Sequence, residues 1–138
     1  METYSLRNSI KESAAGQSDS ITDSGLIFRV IIEEDVPDLY YGDSAYILEV
    51  IDHMITASLL RTEEGKIVLW ISLDSIISET KHAILSFEFI DSGHGLTDEE
   101  KVQLLDYFNT SEQVNIDSKH DIGTNVSVLL SFKAASFE

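Results

Sequence analysis

Apolar residues recur at every second position along some stretches of the chain and at every third or fourth along others, and the two periods divide it into strands and helices. In "LIFRVIIEEDVP", Ile27, Arg29 and Ile31 fall on one side of an extended chain and Phe28, Val30 and Ile32 on the other, with Pro37 ending the strand. Apolar residues on nearly both faces predict that helices cover one of them. After a turn at Gly65, "KIVLWISLD" places Ile67, Leu69, Ile71 and Leu73 on one face. "AILSFEFID" sets Leu85, Phe87 and Phe89 against Ile84, Ser86, Glu88 and Ile90, and these two strands are expected to pair across the polar loop "SIISETKH". "GTNVSVLLSF" alternates Val126, Val128, Leu130 and Phe132 and is rich in β-branched residues, so it reads as a closing strand.

The helical period is clearest where Ile47, Val50, Ile51, Met54, Ile55 and Ser58 predict a helix of about four or five turns, started by Asp43 or Ser44. Thr97 and Glu100 have capping-box spacing ahead of a short helix with Val102, Leu105 and Phe108 as its buried stripe. Near the start, Leu6, Ile10 and Ala14 would form a narrow stripe on a short helix, with a flexible segment from Gly16 to Gly25 after it. The plainer alternative for this Ser-rich stretch is a linker. "NTSEQVNIDSKHD" reads as loop. The order helix, strand, helix, strand, strand, helix, strand gives an α+β two-layer sandwich, a mixed or antiparallel sheet covered on one face by helices. Residues 1–25 are the N-terminal helix and linker, 26–133 the domain, and 134–138 a tail.

Composition narrows the function. The 138 residues carry 25 acidic and 9 basic side chains, a formal net charge of −16. That field repels phosphates, so nucleic acid is excluded as a partner and a polyphosphate needs a metal or backbone donors to compensate. Partners with basic surfaces are favoured. The absence of cysteine removes disulfides and thiolate metal sites and fits a reducing, cytoplasmic setting. No apolar run is long enough for a membrane span, so no direct membrane contact is expected.

Several features in order resemble the ATP-binding catalytic (GHKL) domain of sensor histidine kinases, above all those of hybrid phosphorelay kinases. They are the acidic-x-Pro of Asp35 to Pro37, Gly42-Asp43 before the long helix, the Thr62 to Ile67 turn, the D-x-G-x-G of Asp91 to Gly95, and the Leu105 to Phe108 helix end. The resemblance covers roughly residues 3 to 133. It implies a reduced Bergerat fold in which Asp91, Gly93 and Gly95 correspond to the adenine site, the Asp accepting from the base and the glycines permitting close approach. The family's two helix asparagines, the second of them a Mg²⁺ ligand, fall on His53 and Ala57. Imidazole and methyl groups supply no hard oxygen, so no metal is expected. The catalytic-base position could fall on Glu49. The second Gly-rich turn either survives only as "GTNVSV" or is absent together with the ATP lid, in which case that segment is the closing strand.

For Asp91, Gly93 and Gly95 the plain reading is a retained structural turn. His53 reads as a partly buried structural histidine, His94 as exposed, and His82 and His120 as loop residues without partners in chemistry. "TDEEK" reads as a helix N-terminus rather than a metal site. The expectation is a non-catalytic, kinase-like domain without a cofactor, docking receiver, phosphotransfer or kinase domains, or pairing as a homodimer, in the cytoplasmic part of a relay protein. The alternatives are a minimal domain that binds ATP and Mg²⁺ weakly, and an anti-sigma-like binding module of the same fold.

Overall fold

The computed structural model describes residues 2–108, 113–119 and 122–135. The chain runs β1 (Thr3–Ser5), α1 (Leu6–Asp23), β2 (Ile27–Ile32), β3 (Leu39–Tyr41), α2 (Ala45–Arg61), β4 (Lys66–Ile77), β5 (His82–Asp91), α3 (Asp98–Phe108), β6 (Gln113–Lys119) and β7 (Gly123–Lys133). Five strands form one sheet in the order β2-β4-β5-β7-β6, and β1 pairs with β3 in a small second sheet. β2 runs parallel to β4, reached through α2, and every other pair in the large sheet is antiparallel. This is the expected two-layer α+β sandwich with a mixed sheet.

The alternation read from the sequence sets the inner face. Ile67, Leu69 and Ile71 of β4, Leu85, Phe87 and Phe89 of β5, and Val126, Val128 and Leu130 of β7 are all buried. Against them α2 buries Ile47, Val50, Ile51, Met54 and Ile55. β4 and β5 pair as predicted, but β4 continues to Ile77 through an irregularity between Leu73 and Ser75, so much of the expected loop is strand.

Four expectations are corrected. Residues 16 to 23, expected as flexible linker, continue α1, because Ile21 extends the stripe of Leu6 and Ile10 into the core. Gln113–Lys119, expected as loop, is the edge strand β6, with Val114 and Ile116 beside Val128 and Val126 of β7; the rest of that predicted loop, 109–112 and 120–121, lies outside the described residues. α3 is rotated from the predicted face: Phe108 is buried, but Val102 and Leu105 are 57% and 47% exposed, and Leu104 and Tyr107 pack inward instead. β1 and β3 were not anticipated, because each is three residues long and exists through its partner. Among the described residues no helix is long and apolar enough to cross a membrane.

α1 is capped from a distance. Asp38 Oδ1 accepts from the Arg7 backbone N–H at 2.9 Å and its Oδ2 from the Ser5 hydroxyl at 2.7 Å, while the Asp38 carbonyl accepts from Leu6 N–H. Burial pushes the Asp38 carboxyl up, but the Ser5 and Arg7 hydrogen bonds and the Arg7 charge outweigh it and hold the carboxyl below its ordinary 3.8. A depressed folded value contributes stability that is complete above the unfolded pKa and is lost as pH falls through the folded one. Asp38→Asn keeps a capping oxygen and loses the charge, and is therefore expected to cost about 0.5 kcal/mol at neutral pH, as loss of a carboxylate beside a helix N-terminus does. Urea unfolding should show the variant and parent converging as pH falls below 3.8.

Candidate functional site

The last residue of β5 meets the last residue of α2. Asp91 has a side chain with 0% exposure, and that of Arg61 has 7%. Arg61 Nη2 stands 2.8 Å from Asp91 Oδ2. The contact is an ion pair without hydrogen-bond alignment, so Oδ2 and the buried Arg61 Nε make no hydrogen bond. Asp91 Oδ1 accepts from the Gly93 N–H at 3.0 Å, closing the turn on itself, and Arg61 Nη2 also donates to Ser58 Oγ at 3.3 Å. Both ends of the carboxylate are thus engaged inside the chain.

The backbone of the turn is fastened on both sides. His94 N–H donates to the Arg61 carbonyl at 3.2 Å, and Ser92 Oγ joins the Thr62–Lys66 turn by accepting from Lys66 N–H and donating to the Glu64 carbonyl. A Cβ on Gly93 would lie 2.4 Å from the Arg61 carbonyl oxygen, so only glycine allows this approach. Gly95 has a φ of +92°, and on its far side Leu96 N–H donates to Ser118 Oγ of β6 at 2.7 Å. Thr97 and Glu100 form the predicted capping box. The backbone N–H of Thr97, the largest cause, holds the Glu100 carboxyl below its ordinary value.

Beside the turn, α2 and α3 enclose a cleft of about 490 Å³, lined by Met54, Ala57, Arg61, Leu96, Leu104 and Tyr107 among others. His53 is exposed rather than partly buried, yet it is not idle: its ring stacks on Tyr107 at 3.9 Å with 6° between planes. Burial first, and the Glu49 carboxylate second, push the Tyr107 phenol up. Glu49 itself is exposed. His94 is exposed, its Nδ1 3.0 Å from the Gly95 carbonyl. His82 opens β5 instead of lying in a loop, its Nδ1 2.7 Å from Thr80 Oγ1. His120 lies outside the described residues.

His53 and Ala57 line this cleft, Gly93 lines another hollow that shares Arg61 with it, and neither Asp91 nor Gly95 lines either one. These residues do not fit ATP and Mg²⁺. The carboxylate that would accept from a base amino group is sealed by Arg61, and the positions that would hold the metal present a methyl group and a stacked ring. Among the described residues no group of three or more His, Asp or Glu could hold a metal ion. "GTNVSV" is the start of strand β7, and among the described residues β6, not a lid, stands between α3 and β7. The residue that sequence reasoning missed is Arg61. Its signal was available: it continues the buried α2 stripe of Met54 and Ser58, and a charge in that position demands a buried partner.

No protein-family profile matches the chain. Its sequence relatives include histidine kinases, one of them a hybrid kinase. It is 25% identical over 125 residues to hybrid signal transduction histidine kinase B of Dictyostelium discoideum, covering 91% of this chain and 6% of that protein. It is 25% identical over 130 residues to signal transduction histidine-protein kinase BarA of Escherichia coli, covering 94% and 14%. The chain therefore spans a small part of these relatives' length. Among solved structures it superposes on full-length ShkA in complex with AMPPNP with a TM-score of 0.75 at 13% identity, covering 98% of this chain and 32% of that one. The catalytic domain of histidine kinase ThkA gives 0.65 at 16%, covering 94% and 95%. ThkA in complex with the response regulator TrrA gives 0.65 at 16%, covering 96% and 42%. The fold is that of histidine kinase catalytic domains.

Arg61→Met leaves a buried carboxylate without its cation and is expected to cost about 3–5 kcal/mol of unfolding free energy. Arg61→Met with Asp91→Asn removes both charges and should recover part of that loss in a double-mutant cycle read by denaturant titration. Gly93→Ala should cost about 1–3 kcal/mol, because the Arg61 carbonyl must retreat from the new Cβ.

Proposed function

We propose that this chain is the ATPase-type domain of a phosphorelay protein that does not bind ATP productively, and that it serves as a docking module for receiver, phosphotransfer or kinase domains. The observation that carries this reading is the Arg61–Asp91 ion pair. For a base amino group to reach Asp91, Arg61 must leave a buried position, and the carboxylate must lose its charge partner before the ligand supplies a neutral replacement. Ala57 offers no metal ligand to offset the repulsion between a triphosphate and a surface of net charge −16. Base contacts alone, worth no more than about −4 kcal/mol, correspond to millimolar or weaker binding. A docking role in relay signalling is supported by the hybrid-kinase relative and by the fold neighbour ThkA, whose structure is a complex with a response regulator.

The second reading, a weak nucleotide-binding domain, is favoured by one observation. The cleft beside the turn, at about 490 Å³, has the size of a small-molecule site. Amide shifts of Gly93 and Gly95 separate the two. Adding ATP or ADP with Mg²⁺ up to about 1 mM is expected to produce no saturable shift. Adding a receiver or phosphotransfer domain of the relay should produce shifts that weaken with salt, since exposed charges are screened over about 10 Å at 0.1 M. Saturable submillimolar ATP binding that disappears in Asp91→Asn would establish the second reading instead.

A further inference from the structure

The cleft between α2 and α3 does not end at the His53–Tyr107 stack. A second hollow of about 370 Å³ adjoins it, sharing His53, Ala57 and Tyr107 and reaching Leu60 on the last turn of α2. Together they make a groove along the two helices. Its apolar side chains are Met54, Ala57, Leu96, Leu104 and Leu60, and Leu60 is 83% exposed, the largest such fraction among the exposed large apolar residues. Its rim is acidic: Glu49 and Asp52 from α2, Glu100 and Asp106 from α3. The one Lys or Arg lining it is Arg61, already paired with Asp91, and among the described residues none of the four rim carboxylates makes an ion pair.

We propose that this groove receives a basic amphipathic helix from a partner protein. The inference rests on the docking reading above and names the chemistry of the partner. The walls are helices whose backbone groups are satisfied internally, so the groove offers side chains and no strand edge; a helical ridge is the shape that fits between two such walls. α2 has 17 residues and is about 25 Å long, enough to lie against a partner helix of about four turns. An apolar stripe on that helix would cover Leu60, Leu104 and the Tyr107 face, and flanking Lys or Arg would meet the rim carboxylates. A phosphate-bearing ligand meets four carboxylates there and one Arg that is already paired with Asp91. A second copy of this chain carries the same net charge of −16 and is repelled.

The probe is an 18-residue Lys/Leu peptide with leucines at helical spacing, compared with a scrambled peptide of the same composition and a Glu/Leu version. With the intact chain, shifts from the helical Lys/Leu peptide are expected to cluster in residues 49–60 and 100–107. The scrambled peptide should bind about tenfold more weakly or worse, and the Glu/Leu peptide not at all. Leu60→Gln, which is neutral and exposed, should weaken binding about tenfold, whereas Leu105→Gln, outside the groove, should leave it unchanged. Equal binding of the scrambled peptide, shifts spread over the surface, or an unaffected Leu60→Gln would overturn the assignment. Mg²⁺ and ATP are added to the same samples. If neither nucleotide nor peptide binds, the groove assignment fails and the reading without nucleotide stands. If nucleotide displaces a groove-bound peptide, the reading without nucleotide fails and the groove assignment stands.

Discussion

Arg61 and Asp91 close the site from two directions, one at the end of the long helix and the other at the end of the central strand. A buried ion pair of this kind adds little net stability compared with an apolar pair of equal volume, because desolvating the charges cancels most of their attraction. Its force lies in what its removal would do. Replacing Arg61 strands a carboxylate with no exposed surface, and replacing Asp91 strands a guanidinium nearly as deep. Each single step away from the present arrangement is therefore costlier than the arrangement itself. The turn, the helix end and the mouth of the cleft are held in one conformation by that asymmetry.

The sheet that carries the site does not depend on it. Phe87, Val128 and Leu130 share one core cluster with the α2 stripe and lie further along β5 and β7 from the Asp91–Thr124 pair, and they are buried without any part of Asp91. This separation means that the side chains of the cleft can vary without loss of the fold, since function resides in a few side chains placed on a scaffold that has its own core. Within the D-x-G-x-G segment the glycines and the capped helix each have a local structural duty: close packing on the Arg61 carbonyl, a left-handed turn, and satisfied helix amides.

Most of the fold was legible wherever a period stood out against its surroundings. β4, β5 and β7 alternate over long runs, α2 repeats its apolar positions over several turns, and the capping box needs only two residues at the right spacing. The failures share a cause. β6 has Val114 and Ile116 as its apolar pair among polar neighbours, and becomes a strand only because β7 offers it an edge. The second half of α1 carries a glycine and two serines, but Ile21 anchors it in the core. α3 has apolar residues on two faces, so its sequence cannot choose between them and packing does. Arg61 was overlooked for another reason. A charge on a buried stripe is recognisable in sequence, but its partner lies thirty positions further on, and only the fold brings the two together.

Trp70 is the chain's one tryptophan, and it projects from β4 on the face opposite the helices, 37% exposed, with its indole N–H donating to Glu33 Oε1 at 3.1 Å. Its neighbour across the parallel pair is Ile31 of the edge strand. The intrinsic fluorescence of the domain is therefore an optical gauge of the bare side of the sheet and of how firmly β2 is seated there. It is blind to the cleft, which the thickness of the sheet separates from the indole. A change in emission on adding another protein would locate that protein on the bare side, and an unchanged spectrum accompanied by complex formation would direct attention to the helices.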